Sequence, residues 1–251
     1  MTKLMIFCFV ALLACTTAAR AEKLTIGAGA APTENILKPV ETPFENATGI
    51  DLSIFASGPR QAFIDLERGT IDAAAAGLSF KDWLVLMQNE GVAIVNPEAY
   101  QPVVIGQDKV VVIVHKENPV TGLDKQQLKG IFSRKITNWK EVGGKDTPIL
   151  VIWGEFIQGT NFMFVKNIMD DAPLTSERVE ATTAEDIRAY VATNPEAIGI
   201  GPQAIVDASV HSPQTPEIVR PITLITKGAA SRQVTTLINF IKGAGRKYIK
   251  E

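Results

Sequence analysis

The chain has 251 residues, with 25 basic against 27 acidic side chains, a formal net charge of −2, and only two cysteines. A near-neutral balance without basic blocks excludes the electrostatic footprint of a nucleic-acid or membrane-surface protein. The length suffices for one large core or two modest ones.

The N-terminus opens with Lys3 and an unbroken apolar run over residues 4–15, the core of a signal peptide and too short to span a bilayer stably. Residues 16–21 are a small-residue region ending in Ala19-Arg20-Ala21, which predicts cleavage after Ala21 and a mature start at Glu22. Leu12-Leu13-Ala14-Cys15 also resembles a lipoprotein box, which would instead leave Cys15 lipidated at a membrane surface. Cleavage after Ala21 removes Cys8, Cys15, Lys3 and Arg20, leaving 23 basic and 27 acidic residues, a net charge of −4. A mature chain of that kind has no thiol for a disulfide, a cluster or a nucleophile.

Beyond residue 22, short apolar runs rich in β-branched residues alternate with helical patterns, the signature of an α/β fold with largely parallel sheet. Residues 24–28 read as a strand. They lead into the small-residue turn Gly27-Ala28-Gly29-Ala30-Ala31 and a helical pattern carrying Ile36, Leu37, Val40 and Phe44. Pro39 and Pro43 predict that this helix starts late, kinks or is partly irregular. Residues 51–55 are the next strand, and Ser57-Gly58-Pro59 offers a cap, a permissive glycine and a first-turn proline for a helix over 60–68 closed by Gly69. A strand over 72–76, a helix over 81–89 and apolar runs at 103–105 and 110–114 follow, the last covered on both faces.

The alternation then restarts. Asp124 and Gln127 form a capping-box start for a helix burying Leu128, Ile131 and Phe132. Residues 149–152 read as a strand and 159–169 as a helix, while Thr183 and Asp186 open another helix. Strands over 197–201 and 218–225 and an amphipathic helix over 231–242 complete the pattern, with no internal repeat.

Lys135-Ile136-Thr137-Asn138-Trp139 followed by Glu141-Val142-Gly143-Gly144, preceded by a short helix ending in Ile131-Phe132, is similar to a segment of the family of phosphate-type periplasmic binding proteins of ABC importers. Asn194-Pro195-Glu196-Ala197-Ile198-Gly199-Ile200 and Gly69-Thr70-Ile71-Asp72-Ala73-Ala74 resemble two of its strand entries. The order and spacing agree over nearly all of residues 24–245. The resemblance implies a two-lobed α/β fold of the type II periplasmic-binding-protein class, each lobe a mixed, mainly parallel sheet flanked by helices. Residues 22–112 with 204–251 would form lobe I and 113–203 lobe II, joined by two crossing hinge strands that close over the ligand.

In such proteins an oxyanion is held by helix N-termini and small hydroxyl residues. The matching elements are the turn with Ala30, Ala31 and Thr33, the helix start at Ser57 and Gly58, and Gly159, Thr160 and Asn161. Each of these also fits a plain capping role. The family's charged contacts are altered. Its loop of approximate form Arg-x-Asp-Gly-Ser-Gly-Thr falls here on Gly154, Glu155, Phe156, Ile157, Gln158, Gly159 and Thr160. After the strand at 72–76, where relatives carry a polar Ser-Asp or Ser-Arg pair, this sequence has Gly77-Leu78-Ser79-Phe80. Losing a bidentate arginine removes the strongest side-chain contact to an oxyanion. Arg60, in the first turn after Pro59, either compensates or is simply solvated. Trp153, Phe156, Ile157, Leu78 and Phe80 cluster at family ligand positions, so the cleft either takes a ligand with an apolar or aromatic portion or packs these groups inside.

No catalytic residues, metal site or cofactor are expected. His115 and His211 are isolated, Gly27-Ala28-Gly29 lacks the third glycine and acidic partner of a dinucleotide fingerprint, and Glu155 has no second carboxylate for acid–base work. The expected partners are a small molecule or oxyanion and an inner-membrane ABC permease, or a sensor kinase if the role is sensing or scaffolding. No nucleic-acid partner is expected, and the chain is expected to be a monomer in the periplasm, secreted or lipid-anchored.

Overall fold

The computed structural model describes residues 22–170 and 172–250. The signal segment and the Cys15 lipid box fall outside the described residues. The elements follow the alternation read from the sequence. In order they are β1 (Glu22–Ala28), a π-helical turn (Pro32–Leu37) running into α1 (Lys38–Thr48), β2 (Ile50–Phe55), α2 (Gly58–Glu67), β3 (Ala73–Ala76) and α3 (Phe80–Asn89). There follow β4 (Tyr100–His115), α4 (Lys125–Phe132), β5 (Leu150–Gly154), α5 (Gln158–Phe164), which continues as a π-helical turn (Val165–Met169), and β6 (Val179–Ala181). The chain ends with α6 (Ala184–Thr193), β7 (Ala197–Pro202), β8 (Val210–His211), β9 (Ile218–Lys227) and α7 (Arg232–Lys242).

Local chemistry explains most boundaries. Asp124 and Gln127 exchange the two bonds of a capping box at α4, and Thr183 and Asp186 do the same at α6. Ser231 caps α7, which buries Val234, Leu237 and Ile241 against the sheet. The two prolines near α1 are absorbed differently. Pro39 falls where the π-helical turn passes into α1, and Pro43 lies inside α1; each lacks the amide donor of a helical bond.

The strands form one nine-stranded sheet in the order β2-β1-β3-β9-β4-β7-β5-β6, with β8 added on β4. The expectation of mainly parallel sheets needs correction. β1 pairs in parallel with β2 and β3, and β5 with β6 and β7, but every pairing of β4 and β9 is antiparallel. The cause is the length of β4. The two apolar runs at 103–105 and 110–114 fuse into a single strand whose first part pairs with β9 and whose last part pairs with β7, with a register shift between Val104 and Gly106. One apolar cluster packs β1, α1 and α7. The other runs without a break from Phe63 and Trp83 to Ile152 and Phe164. Among the described residues no helix is long and apolar enough to cross a membrane.

Candidate functional site

The loops that leave the carboxyl ends of β1, β2, β3 and β5 converge, which is where open α/β sheets bind ligands. After β2 the chain turns sharply into α2. Gly58 has φ +81°, a region that disfavours any side chain, and the carboxamide of Gln158 packs directly over its Cα so that a Cβ there would overlap Oε1. Trp83 of α3 donates from Nε1 to the Pro59 carbonyl at 3.1 Å and fixes the start of α2 from behind.

A cavity of about 520 Å³ opens beside this contact. Ser57, Arg60 and Gln61 form one wall, Trp153 to Phe156 with Gln158 and Asn161 the opposite one, and Glu90, Arg178 and Glu180 the rim. Asn161 is held in a defined orientation because its Nδ2 donates to the Gly154 carbonyl at 2.8 Å. Its Oδ1, Gln158 Oε1, Ser57 Oγ and Arg178 Nε are all buried and have no protein hydrogen-bond partner. Arg60 lies 3.9 Å from Glu90, and Arg178 is 2.7 Å from Glu180. A wider groove of about 670 Å³ shares Glu90, Trp153, Gln158 and Asn161 with this cavity and extends between α3 and α5 along Val85 and Phe162.

Across that groove Lys166 meets Asp82 at 2.6 Å. Burial of Asp82 favours its neutral form, but hydrogen bonds from Lys166 and Ser79 outweigh burial and hold the carboxyl below its ordinary value.

The sequence-selected residues therefore divide. Ser57, Arg60, Glu155, Phe156, Gln158 and Asn161 line the 520 Å³ cavity. Ala30 and Thr33 line a smaller one of about 150 Å³ together with Phe156 and Ile157, but the Thr33 hydroxyl is committed to the Gly29 carbonyl. Gly58 lies under Gln158. Ala31, Leu78, Gly159 and Thr160 are buried, and Leu78 is set wholly in the core. Ser79 caps α3 through Asp82. Of the aromatic and apolar cluster, Trp153 and Phe156 face the cavity, whereas Phe80 packs on Tyr100.

Sequence reasoning missed the buried ion pair in this region. Arg220 of β9 and Asp108 of β4 are register partners across the antiparallel pair, 1 % and 3 % exposed, and joined at 2.6 Å. Asp108 Oδ2 accepts from Nε and Nη2 of Arg220, and its Oδ1 accepts from Asn35 and from the Gln203 amide. Arg220 Nη2 also donates to Thr160 Oγ1 at 2.9 Å. The guanidinium lies against Gly77, whose other close neighbour is Ala31. The space among Ala31, Gly77 and Thr160 thus holds an arginine already neutralised by an aspartate. The available signal was a charged residue on the inward phase of an apolar strand, Ile218-Val219-Arg220.

The PBP superfamily domain matches residues 16–204. The chain belongs to the PBP superfamily. As a member of that superfamily of solute-binding domains it is non-catalytic, and among the described residues no His, Cys, Asp and Glu cluster could hold a metal ion. It is similar to the phosphate-binding protein PstS of Bacillus subtilis, 27 % identical over 176 residues, which are 70 % of this chain and 55 % of the relative. PstS of Staphylococcus aureus strain USA300 is 34 % identical over 152 residues, 59 % of this chain and 44 % of that one. The chain spans about half the length of these curated relatives.

Among solved structures, a substrate-binding protein of Clostridium perfringens with bound phosphate has a TM-score of 0.79 at 22 % identity, covering 90 % of this chain and 96 % of the other. An ABC-type phosphate transport receptor of Vibrio cholerae has a TM-score of 0.65 at 21 % identity, with 90 % and 96 % covered. The effector-binding domain of QuiR in complex with shikimate has a TM-score of 0.61 at 12 % identity, with 92 % and 100 % covered. These likenesses are of fold. The PBP member described here has diverged from PstS by its low identity.

Proposed function

We propose that this PBP-superfamily protein is an extracytoplasmic solute-binding protein that seats a small ligand in the 520 Å³ cavity and delivers it to an ABC permease. In this reading residues 22–112 with 204–251 and residues 113–203 are two lobes, and the chain crosses between them within β4 and just after β7. The observation that carries it is the cavity itself. Its walls come from segments about a hundred residues apart, brought together at the carboxyl ends of β2 and β5.

The oxyanion arrangement of phosphate-type proteins has little support here. Thr160 is taken by Arg220, Arg220 by Asp108, and the start of α2 is covered by Gln158. A fold neighbour that holds shikimate supports organic ligands as cargo for this architecture. Native mass spectrometry of the protein purified from its own cell envelope tests the reading, with a stoichiometric small molecule expected. A chain that carries none, and whose X-ray scattering is unchanged by its host's extracted metabolites, would sink it.

A further inference from the structure

We propose that Asp108 is a resident anion: its carboxylate fills, from within the chain, a seat built for a small oxyanion, and so closes this protein to free phosphate. Asp108 is thereby a specificity-determining residue. The inference concerns a place apart from the 520 Å³ cavity and does not depend on the solute-binding reading above. Three features carry it.

The first is the completeness of the seat. Asp108 Oδ2 accepts from Arg220 Nε at 2.8 Å and Nη2 at 2.6 Å, while Oδ1 accepts from Asn35 Nδ2 at 2.8 Å and from the Gln203 amide at 3.2 Å. Four N–H donors therefore meet the two oxygens, which fills the acceptor capacity of a carboxylate. Asn35 is wholly buried and its own Oδ1 has no protein partner, so its carboxamide is turned to face the anion.

The second is the origin of the donors. Arg220 lies on β9, Asn35 in the π-helical turn before α1, and Gln203 directly after β7. They stand 112, 73 and 95 residues from Asp108. Separate segments that aim N–H groups at one planar, two-oxygen group make an anion seat, and here that group arrives on β4 instead of from solution.

The third is the lack of room for a second anion. The guanidinium lies against Gly77, where a Cβ would come within 3.0 Å of its Cζ and Nε and 2.8 Å of the Ala31 Cβ. Thr160 Oγ1 accepts from Nη2 at 2.9 Å. With Arg220 only 1 % exposed, a phosphate brought to it would find closed packing and the repulsion of the Asp108 charge.

Asp108→Ala removes the carboxylate and leaves its donors around a space that matches a formate ion. Equilibrium urea unfolding of the full chain in sodium formate, against sodium chloride at equal ionic strength, reads occupancy of the seat, and unfolding itself gives the ion entry. The midpoint of Asp108→Ala is expected to rise saturably with formate, the folded-to-unfolded ratio growing about tenfold at ten times the dissociation constant. The parent, whose seat is filled, is expected to behave alike in both salts. So is the double variant Asp108→Ala with Arg220→Met, which lacks the guanidinium. If Asp108→Ala is unfolded in chloride, formate is expected to restore its transition. No response of Asp108→Ala to formate, folded or unfolded, overturns the proposal, as does an equal response in the double variant. Phosphate titrated into the parent by calorimetry supplies a test independent of any variant. No saturable heat is expected, and one equivalent of bound phosphate overturns the proposal while leaving the solute-binding reading standing.

Discussion

Arg220 shows how one side chain redirects a site. Its guanidinium and the Asp108 carboxylate are removed from water together, which is tolerable only because Asn35, the Gln203 amide and Thr160 supply further bonds. Removing one partner leaves the other charged and buried, so Arg220→Met is expected to lose about 3–5 kcal/mol, read from urea unfolding. The double variant Arg220→Met with Asp108→Leu is expected to recover much of that loss, since a paired replacement by apolar groups leaves no orphan charge. A double variant no more stable than the single one would mean that the pair is held for its cross-strand geometry alone.

Gly58 allows a sharper comparison. Gly49 has nearly the same backbone angle, φ +72° against +81°, but nothing lies near its would-be Cβ, whereas Gln158 lies over Gly58. Alanine at either position incurs the left-handed penalty of about 1–2 kcal/mol. The excess loss expected in Gly58→Ala over Gly49→Ala measures the contact with Gln158, and adding Gln158→Gly should close the gap in thermal unfolding.

Between elements, the tie of α3 to the turn that follows α5 is the Asp82–Lys166 pair. A carboxyl whose native pKa is depressed contributes stability that is present above its ordinary pKa of 3.8 and is lost as pH falls through the native value. Lys166 is half exposed, which limits the pair to about 1 kcal/mol or less. Lys166→Met is expected to lower stability at neutral pH by about 1 kcal/mol or less and to flatten the profile below pH 3.8, so that variant and parent converge in acid, as measured by urea midpoints across that range.

Elements of this kind were legible wherever capping and periodicity agree. Asp124, Thr183 and Ser231 each mark a helix start that the fold reproduces. The three residues of β6 and two of β8 carry too short a pattern to read, because pairing with β5 and β4 rather than local propensity makes them strands. The fusion of two runs into β4 was hidden by the exposed Gln107 and Lys109 between them. At the site, spacing located the loops but not the side-chain orientations. Thr160 turns inward because β9 supplies Arg220 from far along the chain, and Thr223 of the same strand donates to the Leu78 carbonyl.

For the whole molecule, the proposed hinge has to pass through β4 and the end of β7, which pair antiparallel in the middle of the sheet. Opening the cavity then means parting two polar contacts, Arg220 with Thr160 and Lys166 with Asp82, and the packing of Gln158 over Gly58. It also means exposing part of the apolar cluster that runs from Phe63 to Phe164, which favours the closed arrangement by about 25 cal/mol for each Å² kept from water. Because the polar contacts are few and one of them is half exposed, the apolar seam should supply most of the closing force. The triple variant Thr160→Val, Lys166→Met, Gln158→Gly isolates the polar share. A compact chain of this size has a radius of gyration of about 17 Å, and X-ray scattering of the parent is expected near that value. If the apolar seam dominates, the triple variant scatters like the parent, and only a further change such as Trp153→Ser, in the ring contacts with Phe132 and Phe164, enlarges it. An enlarged triple variant with Trp153 intact would instead assign closure to the polar contacts, and the hinge would then be set by hydrogen bonding rather than by burial.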